Sequence, residues 1–262
     1  MKRIHLFEFE DFAWFPNWTR TCLTRLLVVM HKLLGSSADL VQLLNRALVY
    51  SASPAIVDLC SGSGGPMLDA YRTLKNQPGR NSLQLTLTDL YPNQTLAVAI
   101  NSQADSALRY ETRPVDAAHV APELRGVRTL ICGLHHMRPA VAQRILQDAQ
   151  EKHQPICVYE ISDNSFPISL WWVALPLNFL MALFITPFVR PLTVKQLFFT
   201  YVLPIVPFCF AWDGAVSNAR TYTLGDMAIL LEGLQSKEYT WETGLIPGKA
   251  KKLYLLGLPK GK

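Results

Sequence analysis

The sequence predicts an α/β protein: a doubly wound sheet, mostly parallel with an antiparallel C-terminal hairpin, plus a hydrophobic helical insertion. Three observations carry this. Short apolar runs of strand length alternate with helical stretches between residues 55 and 160, and such alternation implies βαβ crossovers with helices on both faces of a parallel sheet. Two aromatic-rich stretches around Pro247-Gly248 read as an antiparallel hairpin. Between residues 165 and 212 charge almost vanishes, Arg190 and Lys195 excepted.

The elements follow in order. Residues 18–50 carry apolar side chains at helical spacing (Leu23, Leu26, Leu27, Met30, then Leu40, Leu43, Leu44), and Gly35-Ser36-Ser37 divides them into two helices. Pro54 ends this region. Strands are expected at 55–59, 83–88, 109–114, 129–132 and 156–160, with helices at 66–74, 92–99 and 139–152. After the apolar segment Thr223 opens a helix as its N-cap, and strands at 239–244 and 252–257 finish the chain. Four segments result: a leading helical segment or lid at 1–54, a ligand-binding core at 55–164, the insertion at 165–222, and a helix with hairpin at 223–262.

Composition narrows the function classes. Only 17% of the 262 residues are charged, against about 25% in ordinary globular chains. The net charge of +5 suits an anionic membrane surface. The densest basic cluster, residues 249–252, is too small for a nucleic-acid arm, so no nucleic acid is expected. Five cysteines form no CxxC pair, which excludes a disulfide framework and suits reduced thiols in the cytoplasm. Glu8, Glu10 and Asp11 interrupt the apolar stretch a secretory signal needs, so no cleaved leader is expected.

The strongest local signal is Asp58-Leu59-Cys60-Ser61-Gly62-Ser63-Gly64, which runs from a predicted strand into a predicted helix. Small residues let the backbone turn tightly against a ligand, and a helix start offers free N–H groups. Asp89 ends the next strand, where a carboxylate accepts both hydroxyls of a ribose. A dinucleotide would need Gly-x-Gly-x-x-Gly against its diphosphate, and Asp58 would repel one. These residues fit a nucleoside bearing a cationic amino group. Asp58 and Asp89 also fit simple helix caps or surface carboxylates.

The stretch resembles motif I of the class I, Rossmann-like, S-adenosylmethionine-dependent methyltransferases, with Cys60 where that pattern has its first glycine. The resemblance covers roughly residues 56–160. It implies that Asp58, Cys60, Ser61, Gly62 and Gly64 hold the methionine part of S-adenosylmethionine, that Asp89 holds the ribose, and that Leu90, Asp116 and Ala117 flank the adenine. It further implies that Cys132, with His135 and His136, lines the reaction cavity. The two histidines, at a strand end, are expected to point to opposite sides, and one of them or Glu160 is the candidate base. Structural roles stand beside each. Trp14, Phe15 and Arg20, in an aromatic-rich leading segment, fit either a lid or packing of the first helix. No metal site is read.

Residues 169–189 are uncharged and long enough to cross a bilayer, which takes about 20 apolar residues. The stretch 197–212 is shorter and holds Pro204 and Pro207. A two-pass hairpin would leave Arg190 and Lys195 on the far side, against the positive-inside tendency. The segment therefore reads as monotopic or peripheral at the cytoplasmic face of a membrane, with Trp171 at headgroup level, or else as a lid on a soluble cytoplasmic enzyme. Methyl transfer to a hydrophobic small molecule or lipid is the resulting expectation. The alternatives are an NAD(P)-dependent oxidoreductase on a related fold and a non-catalytic, membrane-anchored cofactor-binding protein. Nothing in the sequence sets an oligomeric state.

Overall fold

The computed structural model describes residues 1, 3–164, 167–248 and 250–260, so Ser165, Lys249 and the last two residues of the expected segments lie outside it. Five parallel strands form the body of one sheet: β1 (Ala55–Leu59), β2 (Gln84–Leu87), β3 (Leu108–Tyr110), β4 (Val127–Ile131) and β5 (Ile156–Glu160). β6 (Tyr239–Ile246) and β7 (Lys252–Pro259) are antiparallel. The order across the sheet is β3-β2-β1-β4-β5-β7-β6. The hairpin therefore docks through its second strand, which pairs Val158 with Leu255 and leaves β6 at the rim. β1 and β5 keep their predicted bounds. β4 starts and ends earlier than expected, because Cys132 has turned out of the strand at φ +50°.

α1 (Asn17–Leu34) and α2 (Ser36–Leu48) lead the chain, bent by 70° at Gly35, whose φ of +70° a glycine adopts freely. α2 joins α3 (Met67–Lys75) and α4 (Gln94–Asn101) over one face of the sheet, burying Leu40, Leu44, Tyr71, Leu74 and Leu85 in one cluster. α5 (Pro139–Glu151) covers the other face through Ile145 and Leu146 against Val57 and Leu130. Residues 111–126, interrupted by Pro114 and Pro122, form no helix among the described residues. The outer strands are thus open there, over a groove of about 700 Å³ lined by Gln84, Thr86 and Arg109.

The insertion is helical but not a pair of clean spans. Residues Ile168–Phe188, with α6 (Ala174–Ile185) at their centre, are long and apolar enough to cross a membrane; their most apolar 18 residues have a mean hydropathy of 2.0 and are 11% buried. α7 (Val194–Leu197) runs into a π turn at Phe198–Val202. Pro204, without an N–H, then breaks the ladder, and α8 (Ile205–Arg220) leaves at 78°. Ala182, Val206 and Phe210 pack against Phe15, Leu23 and Leu26 of the leading segment. On the outside Leu177, Phe184, Phe188, Val202 and Phe208 are 61–74% exposed. α9 (Leu224–Leu230) follows, and its expected cap is present: Thr223 Oγ1 accepts from Asp226 N while Asp226 Oδ2 accepts from Thr223 N, both at 3.1 Å.

One buried ion pair ties the sheet to α5. Arg128 of β4 donates to Asp148 at 2.7 Å, and Lys152 also reaches that carboxylate. Removing one partner strands the other charge in the core. Asp148→Ala is expected to lower the unfolding free energy in urea by about 3–5 kcal/mol; a loss under about 1 kcal/mol would mean that Arg128 finds water instead.

Candidate functional site

The loop after β1 adopts left-handed backbone at Cys60 (φ +55°), Gly62 (+51°), Gly64 (+84°) and Gly65 (+40°). A Cβ on Gly62 would meet nothing within 4 Å, so the loop backs onto open space that a ligand can approach closely. Cys60 holds this conformation without being glycine, at a strain of about 1–2 kcal/mol. Burial pushes its thiol up to about 12, which disfavours the thiolate. Cys132, also left-handed, is shifted up by burial as well.

Asp89 closes the loop from β2. Its Oδ2 accepts from Gly62 N at 3.0 Å and its Oδ1 from Tyr91 N at 2.9 Å. The carboxylate is half-buried just past the end of β2. Asp58 behaves differently. It is fully buried, its carboxylate takes the Thr129 hydroxyl of the neighbouring strand, and burial raises its pKa to about 7. The side chain thus stands inside the sheet, under the loop with which the resemblance groups it.

β4 brings the second half of the site beside the first: a Cβ on Gly133 would stand 3.6 Å from Cys60 Cβ. His135 and His136 lie in a 3₁₀ turn, Leu134–His136, rather than on the strand. Their rings therefore lie together, 4.2 Å apart between centroids, and do not point to opposite sides as expected. His135 is buried. Its Nδ1 bonds Glu160 Oε2 of β5 at 2.8 Å, and its Nε2 accepts from Ser217 Oγ of α8 at 2.8 Å. A carboxylate can only accept, so these partners assign the proton to Nδ1 and the lone pair to Nε2.

α8 supplies the residues that sequence reading missed. Asp213, Ser217 and Arg220 recur at helical spacing and share one face. Residues 3–11 run back along this face as a strap. Ile4 N donates to Ala219 O, Trp212 Nε1 to Phe7 O, and Phe9 N to Asp213 Oδ1 at 2.7 Å. The buried Arg220 guanidinium donates to Leu6 O, to Glu8 Oε1 at 2.9 Å and to Asp11 Oδ2 at 2.7 Å, and lies 3.3 Å from His136 Nδ1. Burial raises Glu8 to about 7 and Asp213 to about 6. Burial also pushes Asp11 up, but hydrogen bonds with His136 and Arg220 outweigh it and hold that carboxyl below its ordinary range. Glu8, His135 and His136 each bring a ligand-type atom to within 4.8 Å of the others, a convergence no sequence spacing announced. The available signal was the D-x₃-S-x₂-R face closing the apolar stretch.

No family model matches the chain, and no curated protein matches it. Solved structures do. The plantazolicin methyltransferase BpumL in complex with SAH superposes with a TM-score of 0.52 at 8% identity, over 93% of this chain and 98% of that one. The small RNA methyltransferase HEN1 gives 0.51 at 13%, over 87% of this chain and 25% of its own. The fold is that of the class I methyltransferases. LepI, solved with SAM, gives 0.48 at 14% identity over 83% of this chain, and LaPhzM 0.48 at 13% over 86%; the chain spans 46% and 55% of their lengths.

Other predicted positions divide. Ser61 bonds back to Asp58 O through its hydroxyl, and Leu90 is exposed beside Asp89. Asp116 is exposed, and a backbone hydrogen bond from Ala118 lowers its pKa, with His119 adding to the effect. Ala117 is packed in the core cluster beneath. Phe15 is also a core residue, packed with α1, α6 and α8, which is the packing alternative of the two readings it allowed. Arg20 donates to Glu10 O and Phe12 O and so fixes the strap, while Trp14 is exposed and stacks on Phe12. Trp171 meets Trp212 edge-on at 6.0 Å. An apolar groove of about 540 Å³ lies between α1, α2 and α3; it reaches Gly65 and Pro66 but none of the strand-end carboxylates.

Two tests follow. Cys60→Val should cost about 1–3 kcal/mol of stability, since a β-branched side chain tolerates this φ poorly, while Cys60→Gly keeps the fold; equal melting of both variants would contradict the strain. Asp58 binds its proton more tightly folded than unfolded, so its contribution to stability falls as pH rises from about 4 towards 7. Urea titrations at pH 5 and 7.5 should show Asp58→Asn gaining on the natural chain at the higher pH. Parallel behaviour would exclude a raised pKa.

Proposed function

We propose that the chain transfers a methyl group from S-adenosylmethionine to a hydrophobic small-molecule or lipid-like acceptor at the cytoplasmic face of a membrane. The line Glu160–His135–Ser217, beside a glycine loop closed by a strand-end carboxylate, is the observation that carries this reading. The residues present fit the cofactor: open space at Gly62, a half-buried Asp89, and exposed Asp116 and Leu90 on the adjoining turns. Asp89 would hold the ribose, the loop Cys60–Gly64 the amino-acid part, and Leu90 and Asp116 the base. The cofactor supplies a sulfonium methyl that needs no further activation.

The chain's own contribution is alignment and proton removal. Glu160 orients His135 and supports positive charge on its ring, so Nε2 is the basic atom. An acceptor hydroxyl or amine that replaces Ser217, or bonds through it, can give its proton there. Such general-base help is worth roughly 10²–10⁴ in rate, and ordered approach within a closed site contributes more. The outward Leu177, Phe184, Phe188, Val202 and Phe208 support the membrane reading, because exposed apolar faces of this kind mark membrane or partner contacts. The side chains lie on an interfacial segment rather than a two-pass hairpin, since α8 ends in buried Asp213 and Arg220.

Calorimetric titration with S-adenosylhomocysteine tests the cofactor. Asp89→Ala should weaken binding by about 1–3 kcal/mol, and absence of binding to the natural chain would sink the proposal. His135→Gln should lower kcat by about 10²–10⁴ towards acceptors in a lipid extract while S-adenosylhomocysteine affinity is kept. The membrane reading predicts co-sedimentation with phosphatidylcholine–phosphatidylglycerol vesicles that Phe184→Glu with Phe188→Glu abolishes; a natural chain left in the supernatant would return the insertion to a soluble lid.

A further inference from the structure

The strap and α8 bring five carboxyl groups, Glu8, Glu10, Asp11, Asp213 and Glu160, into reach of the guanidinium groups of Arg3, Arg20 and Arg220. Asp213 is 8% exposed and its Oδ2 has no hydrogen-bond partner, although Oδ1 is taken by Phe9 N. A buried carboxylate oxygen without a donor costs more than a surface one and calls for a cationic or N–H-bearing partner. Glu8, His135 and His136, each with a ligand-type atom within 4.8 Å of the others, converge beside Ser217, which lies one helical turn from Asp213.

Resting on the methyltransferase reading, we infer that this site binds the acceptor as an organic ammonium, so that the acceptor class is an apolar amine. A bare metal ion would need the lone pairs of all three converging residues, but Arg220 already engages Glu8 Oε1 and His136 Nδ1. Hydrogen-bonding groups remain: Asp213 Oδ2, the Ser217 hydroxyl and, behind it, His135 Nε2. These match an R–NH₃⁺ group, whose three N–H donors need acceptors rather than coordination geometry. The ammonium N–H bond breaks as Nε2–H forms, which leaves the nitrogen lone pair free and an imidazolium opposite Glu160. The apolar remainder of the amine extends towards Phe9, Trp171 and Trp212, which pack where the strap meets α8.

The test is calorimetric titration of the full chain with n-hexylamine, n-hexanol, hexyltrimethylammonium, Mn²⁺ and Zn²⁺, with S-adenosylhomocysteine titrated on the same preparation. Hexylamine should saturate one site, at least tenfold tighter than hexanol or the trimethylated cation, which lacks N–H donors. Asp213→Asn, which keeps the acceptor for Phe9 N, should weaken hexylamine at least tenfold and leave S-adenosylhomocysteine affinity unchanged. Equal binding of hexanol, an unaffected Asp213→Asn variant, or stoichiometric Mn²⁺ or Zn²⁺ lost in Glu8→Gln would overturn the inference. Should the variant fail to fold, the comparison of the three hexyl probes on the natural chain still decides. Bound S-adenosylhomocysteine without hexylamine binding defeats this inference alone; the reverse pattern defeats the methyltransferase reading and leaves a cation site.

Discussion

The structure depends on where Arg220 finds its partners. A guanidinium at 4% exposure is tolerable only if nearly every N–H is satisfied and its charge is met. Glu8, Asp11 and Leu6 O do this together. Because those partners come from the first dozen residues, the strap cannot leave α8 without stranding the charge. Arg3 repeats the tie in the other direction, donating to the carbonyls of Arg220, His135 and Met137 and lying over the Tyr222 ring. The His135–His136 turn is thereby held against both the strap and α8.

This arrangement divides the molecule into two halves. The sheet and its loop supply the open space at Gly62, closed by Asp89. Everything above β4 and β5 comes from segments added around the sheet, the strap and the insertion. Fold and function are separable in this sense: the lower half is the shared fold, and the groups proposed to act on the acceptor lie where α8 meets residues 3–11.

The lower half was legible in the sequence for physical reasons. Apolar runs of five residues between helical stretches, and the small-residue turn from Asp58 to Gly64, are local signals, and β1, β5 and the Thr223 cap follow them. The turn geometry of the histidines was not legible, since Cys132 leaves the strand in a left-handed conformation that sequence seldom signals for a non-glycine residue. The strap's role was hidden because Glu8 and Asp11 find their partner more than 200 positions away. Phe15 stayed open between lid and packing for a similar reason: the insertion that buries it lies far along the chain.

α8 also has two unlike halves within roughly 24 Å of helix. Its beginning, with Phe208 outward and Val206 and Phe210 inward, asks only for greasiness and fit. Its end asks for three specific side chains on one face. Exchange among apolar residues of similar volume is therefore tolerated in the first two turns, whereas in the last two a single exchange unseats the strap and the histidine turn together. One helix thus answers to two constraints, one on composition and one on identity.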